Sequence, residues 1–176
     1  MANRVIRNEV VARPELTLPA GWRLRGLLEA GPMTSGSERN LRYATESTLG
    51  HMLGGTSEIY GTYSTLRFQK PSEVGYYAPN LVQTIEGAWR TDIDRTDFSL
   101  SLDFGIGRGR ARDHGDSFGP WGQSLRAETY ASFFVGEGRE LRFSAEFYSN
   151  QFNPALAASP AWKYTSVSAA FLASRW

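Results

Sequence analysis

The stretch Thr96-Asp97-Phe98-Ser99-Leu100-Ser101-Leu102-Asp103-Phe104-Gly105-Ile106-Gly107 decides the fold. Phe98, Leu100, Leu102, Phe104 and Ile106 fall on one side of an extended chain, and Asp97, Ser99, Ser101, Asp103 and Gly105 on the other. Side chains alternate across a strand, so the stretch is a strand with one apolar and one polar face. The same period continues towards the C-terminus. Leu125, Ala127, Thr129, Ala131, Phe133 and Val135 oppose Arg126, Glu128, Tyr130, Ser132 and Phe134. Leu141, Phe143, Ala145 and Phe147 oppose Arg142, Ser144, Glu146 and Tyr148. Working outward, nine strands are predicted, at about 4–18, 22–30, 40–53, 57–69, 80–91, 96–110, 123–135, 139–149 and 161–176. The fourth alternates only loosely through Tyr60, Thr62, Leu66 and Phe68. No segment carries a 3.6-residue period, although 153–159 has room for one helical turn.

Composition narrows the class. A chain of 176 residues suggests one domain, here 1–176, and its net charge of +1 gives no general attraction to nucleic acid. With no cysteine there is no disulfide framework, thiolate zinc site or cysteine nucleophile. The two histidines, His51 and His114, are too few for a histidine-rich metal site, so no metal or cofactor is expected. The longest apolar run, Ala169 to Ala173, is far short of the ~20 residues a transmembrane helix needs. The opening Met-Ala-Asn-Arg lacks the apolar segment of a signal peptide. The 23 aromatics and 18 glycines suit an all-β chain. Only Lys70 and Lys163 are lysines among 19 basic residues, which suggests planar, bidentate arginine pairing.

The connections alternate short (19–21, 54–56, 92–95, 136–138) and long (31–39, 70–79, 111–122, 150–160). Every proline except Pro14 falls in a predicted connection. Tight turns at one end and long loops at the other are the pattern of an antiparallel up-and-down outer-membrane β-barrel. Charge placement chooses its inside. Arg7, Glu9, Arg13, Glu15, Arg23, Arg25, Glu29, Arg42, Glu46, Glu86, Lys163 and Arg175 join Arg90, Asp97, Asp103, Arg126, Glu128, Tyr130, Arg142, Glu146 and Tyr148 on the polar face, which is expected to line the lumen. Ala127, Ala131, Ala145 and Ala170 join the aromatics on the lipid side. Trp22, Trp89, Trp162 and Trp176 are expected at the bilayer interfaces. A soluble lipocalin-like ligand-binding barrel, with the apolar face inward, also fits the period.

A C-terminal strand ending in the periplasm makes the first strand begin outside the cell, whereas single-chain barrels are even-stranded and begin inside. Either the chain is the C-terminal part of a larger barrel, or 4–18, which contains Pro14, is no membrane strand and the other eight close.

Tyr63-Ser-Thr-Leu-Arg-Phe68, then Gly75-Tyr-Tyr-Ala-Pro79, then a strand ending in Trp89 resemble the C-terminal barrel of tetratricopeptide-fused outer-membrane exporters of exopolysaccharide, the cellulose synthase operon protein C family. Phe147-Tyr148-Ser149-Asn150 and Lys163-Tyr164-Thr165-Ser166 through Arg175-Trp176 are similar to that family's closing strands. Ala78 stands where the family commonly has serine, and the helical repeats are absent from 1–176. The resemblance covers 60–176. It implies a barrel of about 16 strands, hence missing N-terminal strands, periplasmic helical repeats, and a pore through which a polysaccharide leaves.

Enzyme chemistry finds little footing. The segment Phe147 to Asn150 is similar to the His-x-Ser-Asn of outer-membrane lipid A deacylases, but Phe147 replaces the histidine base. Gly105-Ile-Gly-Arg-Gly109 has neither the lysine nor the helix of a phosphate loop. Arg108, Arg110 and Arg112 suit either lipopolysaccharide phosphates and exported sugar, or an ion-pair cluster with Asp113 and Asp116. The expectation is therefore a non-enzymatic pore segment of a Gram-negative outer membrane, touching lipid, lipopolysaccharide and polysaccharide. A small structural or adhesion barrel without a conduit is the rival.

Overall fold

The computed structural model describes residues 5–35, 37–72, 78–136, 138–150 and 162–173. The described residues form one antiparallel sheet and no α-helix. Its strands are β1 (Val5–Arg7), β2 (Val10–Ala12), β3 (Glu15–Thr17), β4 (Trp22–Ser35), β5 (Glu38–Leu53), β6 (Ser57–Phe68), β7 (Leu81–Asp94), β8 (Phe98–Arg112), β9 (Gly122–Phe134), β10 (Arg139–Asn150) and β11 (Trp162–Ala173). Each pairs with its sequence neighbour from β4 onward, as a meander requires.

The eleven strands occupy nine places in the sheet. β1, β2 and β3 all pair with β4 in one unbroken register, Arg7 opposite Met33, Val11 opposite Glu29 and Leu16 opposite Leu24. They are one edge strand interrupted at 8–9 and 13–14, not a segment outside the sheet. Pro14 causes the second break. Proline has no N–H to give a ladder, yet its carbonyl still accepts from Gly26 N at 2.8 Å. Gly26 is required there, since a Cβ would stand 2.9 Å from the Pro14 ring.

The expected long connection 31–39 does not exist. β4 runs on through Gly31 and Pro32 to Ser35, which pairs with Glu38 across a two-residue turn. Pro32 is tolerated within the strand because its carbonyl, the group it retains, accepts from Asn8 N at 3.1 Å. The strict alternation of short and long connections fails at this hairpin. The short turn at 54–56 holds where expected, and the one expected at 92–95 falls at 95–97. Gly54 and Gly55 take the left-handed backbone that the β5–β6 turn needs (φ 66° and 82°), which costs glycine nothing. The helical turn suggested for 153–159 lies outside the described residues, as do Gly75, Tyr76 and Tyr77.

The cross-strand registers sort every side chain onto one of two faces. Tyr60, Ala88, Gly105, Arg126 and Tyr148 form one row, and Leu49, Gly61, Gly87, Ile106 and Leu125 another on the opposite side. Every Asp and Glu within a strand shares the first face, from Glu15 to Glu146. That polar face is the sheltered one: Glu58, Asp103 and Ser132 are 5%, 6% and 1% exposed. The apolar face is open, with Ile85 at 55%, Ile106 at 57% and Val167 at 78%. Among the described residues the buried apolar groups are Phe68, Ala78, Pro79 and Ala111, gathered near the loops that follow β6 and β8.

The last strand reverses one sequence expectation. Ala170 pairs with Arg142, on the polar face, and Lys163 pairs with Ser149, on the apolar one. Val167 and Phe171 are the residues of β11 that continue the apolar surface. The run Ala169 to Ala173 is apolar on both sides and leaves the register open, and a shift of one exchanges the faces.

The sheet is open among the described residues. β11 pairs with β10 alone, and no ladder joins it to β1–β4. The eight-stranded closure considered from sequence is not formed. No described helix is long and apolar enough to cross a membrane, which has no bearing on crossing by strands.

Candidate functional site

The middle of the polar face is built from a row of unequal side chains. Tyr60 and Arg126 stand at its ends, with Ala88 and Gly105 between them. The two small residues leave a trough that the two long ones reach across. Arg126 Nη2 donates to the Tyr60 hydroxyl at 2.7 Å and to Glu86 Oε1 at 2.9 Å. Its Nη1 lies 3.0 Å from Asp103 Oδ1 and donates to Glu128 Oε1 at 3.2 Å. The Tyr60 hydroxyl in turn donates to Asp103 at 2.8 Å, and the Tyr148 hydroxyl to Glu128 at 2.5 Å. One guanidinium thus ties together groups from β6, β7, β8 and β9. Its five donors in a fixed fork suit it to several acceptors at once.

Gly105 is needed for this. A Cβ there would stand 2.6 Å from the Glu86 carboxyl. Gly50 does the same for Glu58, whose Oε1 would meet a Cβ at 2.0 Å. Glu58 receives Arg25 Nη2 at 2.9 Å, and the Arg25 guanidinium lies 5.7 Å from the Tyr60 ring centre. Arg25, Tyr60, Glu86, Asp103 and Arg126 line a cavity of about 520 Å³ together with Thr48, Thr62, Ser64 and Ser124. A second cluster sits towards the β1 edge, where Glu29 accepts from Arg42 at 2.6 Å and from Arg7 at 3.0 Å.

The residues expected on the lumen side share the polar face, with differences. Asp103, Arg126, Glu128 and Tyr148 meet in the cluster just described. Arg90 joins loosely, its Nε 3.4 Å from Asp103 and 3.8 Å from Asp92. Asp97 does not join: it lies in the turn between β7 and β8, exposed, with its carbonyl accepting from Phe134 N. Arg142 pairs with Glu140 at 2.8 Å and not with Glu146, which faces Glu128 across the β9–β10 ladder. Tyr130 is on this face and exposed, between Ser101 and Ser144. Tyr60 and Glu86 carry the centre, and sequence reasoning did not single out Tyr60. The signal was present as the small row partners Ala88 and Gly105, but only the register reveals them.

Of the interface aromatics, Trp22 and Trp89 project from the apolar face, each 40% exposed, and Trp22 packs on His51 at 4.7 Å. The side chain of Trp162 and all of Trp176 lie outside the described residues. Among the described residues no three His, Asp or Glu side chains are grouped to hold a metal ion. No known protein family, characterised protein or solved structure matches this chain.

Proposed function

We propose that this chain forms wall of an outer-membrane β-barrel pore, its polar face turned to a conduit through which a polysaccharide is exported. The observation that carries the reading is the inversion of the two faces. At the middle of the polar face Glu58, Glu86, Asp103 and Arg126 are sheltered and paired, while leucine, isoleucine and aromatic side chains stand open on the other side. Water penalises that arrangement and hydrocarbon favours it. The soluble barrel is disfavoured for the same reason, since its apolar face would point inward.

The two open edges agree with a wider barrel. In lipid each unsatisfied backbone group costs several kcal/mol, so the outer sides of β1–β3 and of β11 are where further strands would join. Tyr60, Tyr130, Tyr148 and Tyr164 offer flat rings and hydroxyls beside arginines and carboxylates on the polar face, the groups that hold sugar rings and their hydroxyls. The motif resemblance to the exopolysaccharide exporters points the same way. A structural barrel without a conduit is the second reading, favoured by the way Arg126 gathers four strands at the middle of this face.

Reconstitution in planar bilayers tests the proposal. The expected result is stepwise ion conductance that added polysaccharide blocks. Insertion without conductance would support the structural barrel, and failure to enter lipid would overturn both.

A further inference from the structure

Most of the arginines divide by face, the exception being Arg23, which lies on the polar face opposite Gly50 and makes no ion pair among the described residues. On the polar face Arg7, Arg25, Arg42, Arg90, Arg126 and Arg142 each lie within 4 Å of a carboxylate. On the apolar face Arg67, Arg108, Arg110 and Arg112 cluster near the long-loop ends of β6 and β8, and none makes an ion pair among the described residues. Asp113 and Asp116 do not neutralise them, so the ion-pair reading of this cluster is not met.

The cluster is positioned rather than loose. Arg110 donates through Nε to Gln83 at 2.9 Å, and its guanidinium carbon lies 4.2 Å and 4.7 Å from the ring centres of Phe118 and Trp121. Both its terminal nitrogens are left without an acceptor among the described residues. Arg112 donates to Asn80 at 3.0 Å and lies over the same Phe118 ring. Successive same-face residues on a strand are ~7 Å apart, so Arg108, Arg110 and Arg112 present a line of cations.

Directly below, the apolar face is dented. Gly61 and Gly87 pair across β6–β7 between Leu49 and Ile106, and open a groove of about 660 Å³ that ends at Arg108. Nothing lies within 4 Å of a Cβ placed on Gly87. An apolar groove closed at one end by arginines that make no ion pair among the described residues fits an acyl chain carrying a phosphate.

We infer that this surface binds a phosphorylated, acylated saccharolipid, the lipid A part of lipopolysaccharide, with its phosphate on Arg108 and Arg110 and an acyl chain over Gly61 and Gly87. The inference rests on the outer-membrane reading, which puts the long-loop end in the leaflet where that lipid resides.

The test is displacement of fluorescent lipid A bisphosphate from the full chain folded in maltoside micelles. Unlabelled lipid A bisphosphate should compete. Its dephosphorylated form, the acyl-free disaccharide bisphosphate and phosphatidylglycerol should compete at least tenfold less well. Each surface arginine contributes about fivefold in affinity for an anionic lipid, so R108Q/R110Q should bind about 25-fold more weakly. G87L should weaken binding by filling the groove. R139Q, an arginine on the same face in β10, should bind like the wild type. Wild-type affinity in R108Q/R110Q, or equal competition by phosphatidylglycerol, would overturn the inference and leave the membrane reading standing. Flotation of the wild type with zwitterionic vesicles tests that reading separately, and its failure would remove both.

Discussion

Arg126 and Arg108 sit on neighbouring strands of one sheet and live in opposite surroundings. Arg126 is sheltered, with Glu86, Asp103, Glu128 and the Tyr60 hydroxyl around it. Arg108 is exposed beside Ile85, Ile106 and a glycine dent, with no carboxylate at ion-pair distance among the described residues. The same residue type is thus used once to neutralise buried acids and once to leave a charge unspent. The difference teaches that charge on this sheet is allotted by face and not by strand. A soluble β-protein does the reverse, hiding its leucines and spreading paired charges over its surface.

The comparison breaks most severely at Arg126. Replacing it by methionine leaves Glu86 without its cation and Asp103, 6% exposed, with the looser Arg90 alone. Stripping a partner from a buried charge pair costs about 3–5 kcal/mol, which the partial exposure of Arg126 reduces to about 2–4 kcal/mol. Denaturant unfolding in micelles reads this, and a loss below ~0.5 kcal/mol would show that the cluster is not structural.

The opposite face is tested by putting a charge where none belongs. Leu102→Arg should cost about 2–4 kcal/mol in bilayers if that position faces hydrocarbon, and close to nothing in water. Equal stability of wild type and variant in lipid would reverse the assignment of faces.

Glycine sharpens the contrast at smaller scale. A Cβ on Gly107, on the polar face, would stand 2.5 Å from the Ile85 carbonyl and 2.8 Å from Ser124 Oγ, whereas one on Gly87, on the apolar face, meets nothing within 4 Å. Gly107→Ala should destabilise by about 1–3 kcal/mol, as overpacking does. Gly87→Ala should be neutral or stabilising by about 0.5 kcal/mol, since it restricts the unfolded chain alone. Similar effects at both positions, read from the same unfolding curves, would contradict the geometry. A modest change is expected of Tyr148→Phe, which removes one hydrogen bond to Glu128 and should cost about 1 kcal/mol.

Most of the fold was legible in period two. The strands about 96–110, 123–135 and 139–149 match β8, β9 and β10 to within two residues. What failed, failed for want of register. Pro32 reads as a loop residue because proline rarely enters a ladder, yet at 32 the carbonyl alone is used, by Asn8 N. The faces of β11 were exchanged because Ala169 to Ala173 is apolar on both sides and offers no alternation. Arg142 lies on the polar face as expected, and its partner there is Glu140, two residues away, which the sequence did not single out. Tyr60 escaped notice because its partners lie on β8 and β9, more than 40 residues distant, and nothing in its own strand names them.

The central claim is that Leu100, Leu102, Phe104 and Ile106 face hydrocarbon while Ser99, Ser101, Asp103 and Gly105 do not. The chain has no cysteine, so single cysteines can be placed along 99–106 and labelled with an environment-sensitive dye. Quenching by brominated acyl chains should rise at every even position and fall at every odd one. A flat profile, or quenching of the even positions by aqueous iodide instead, would contradict it.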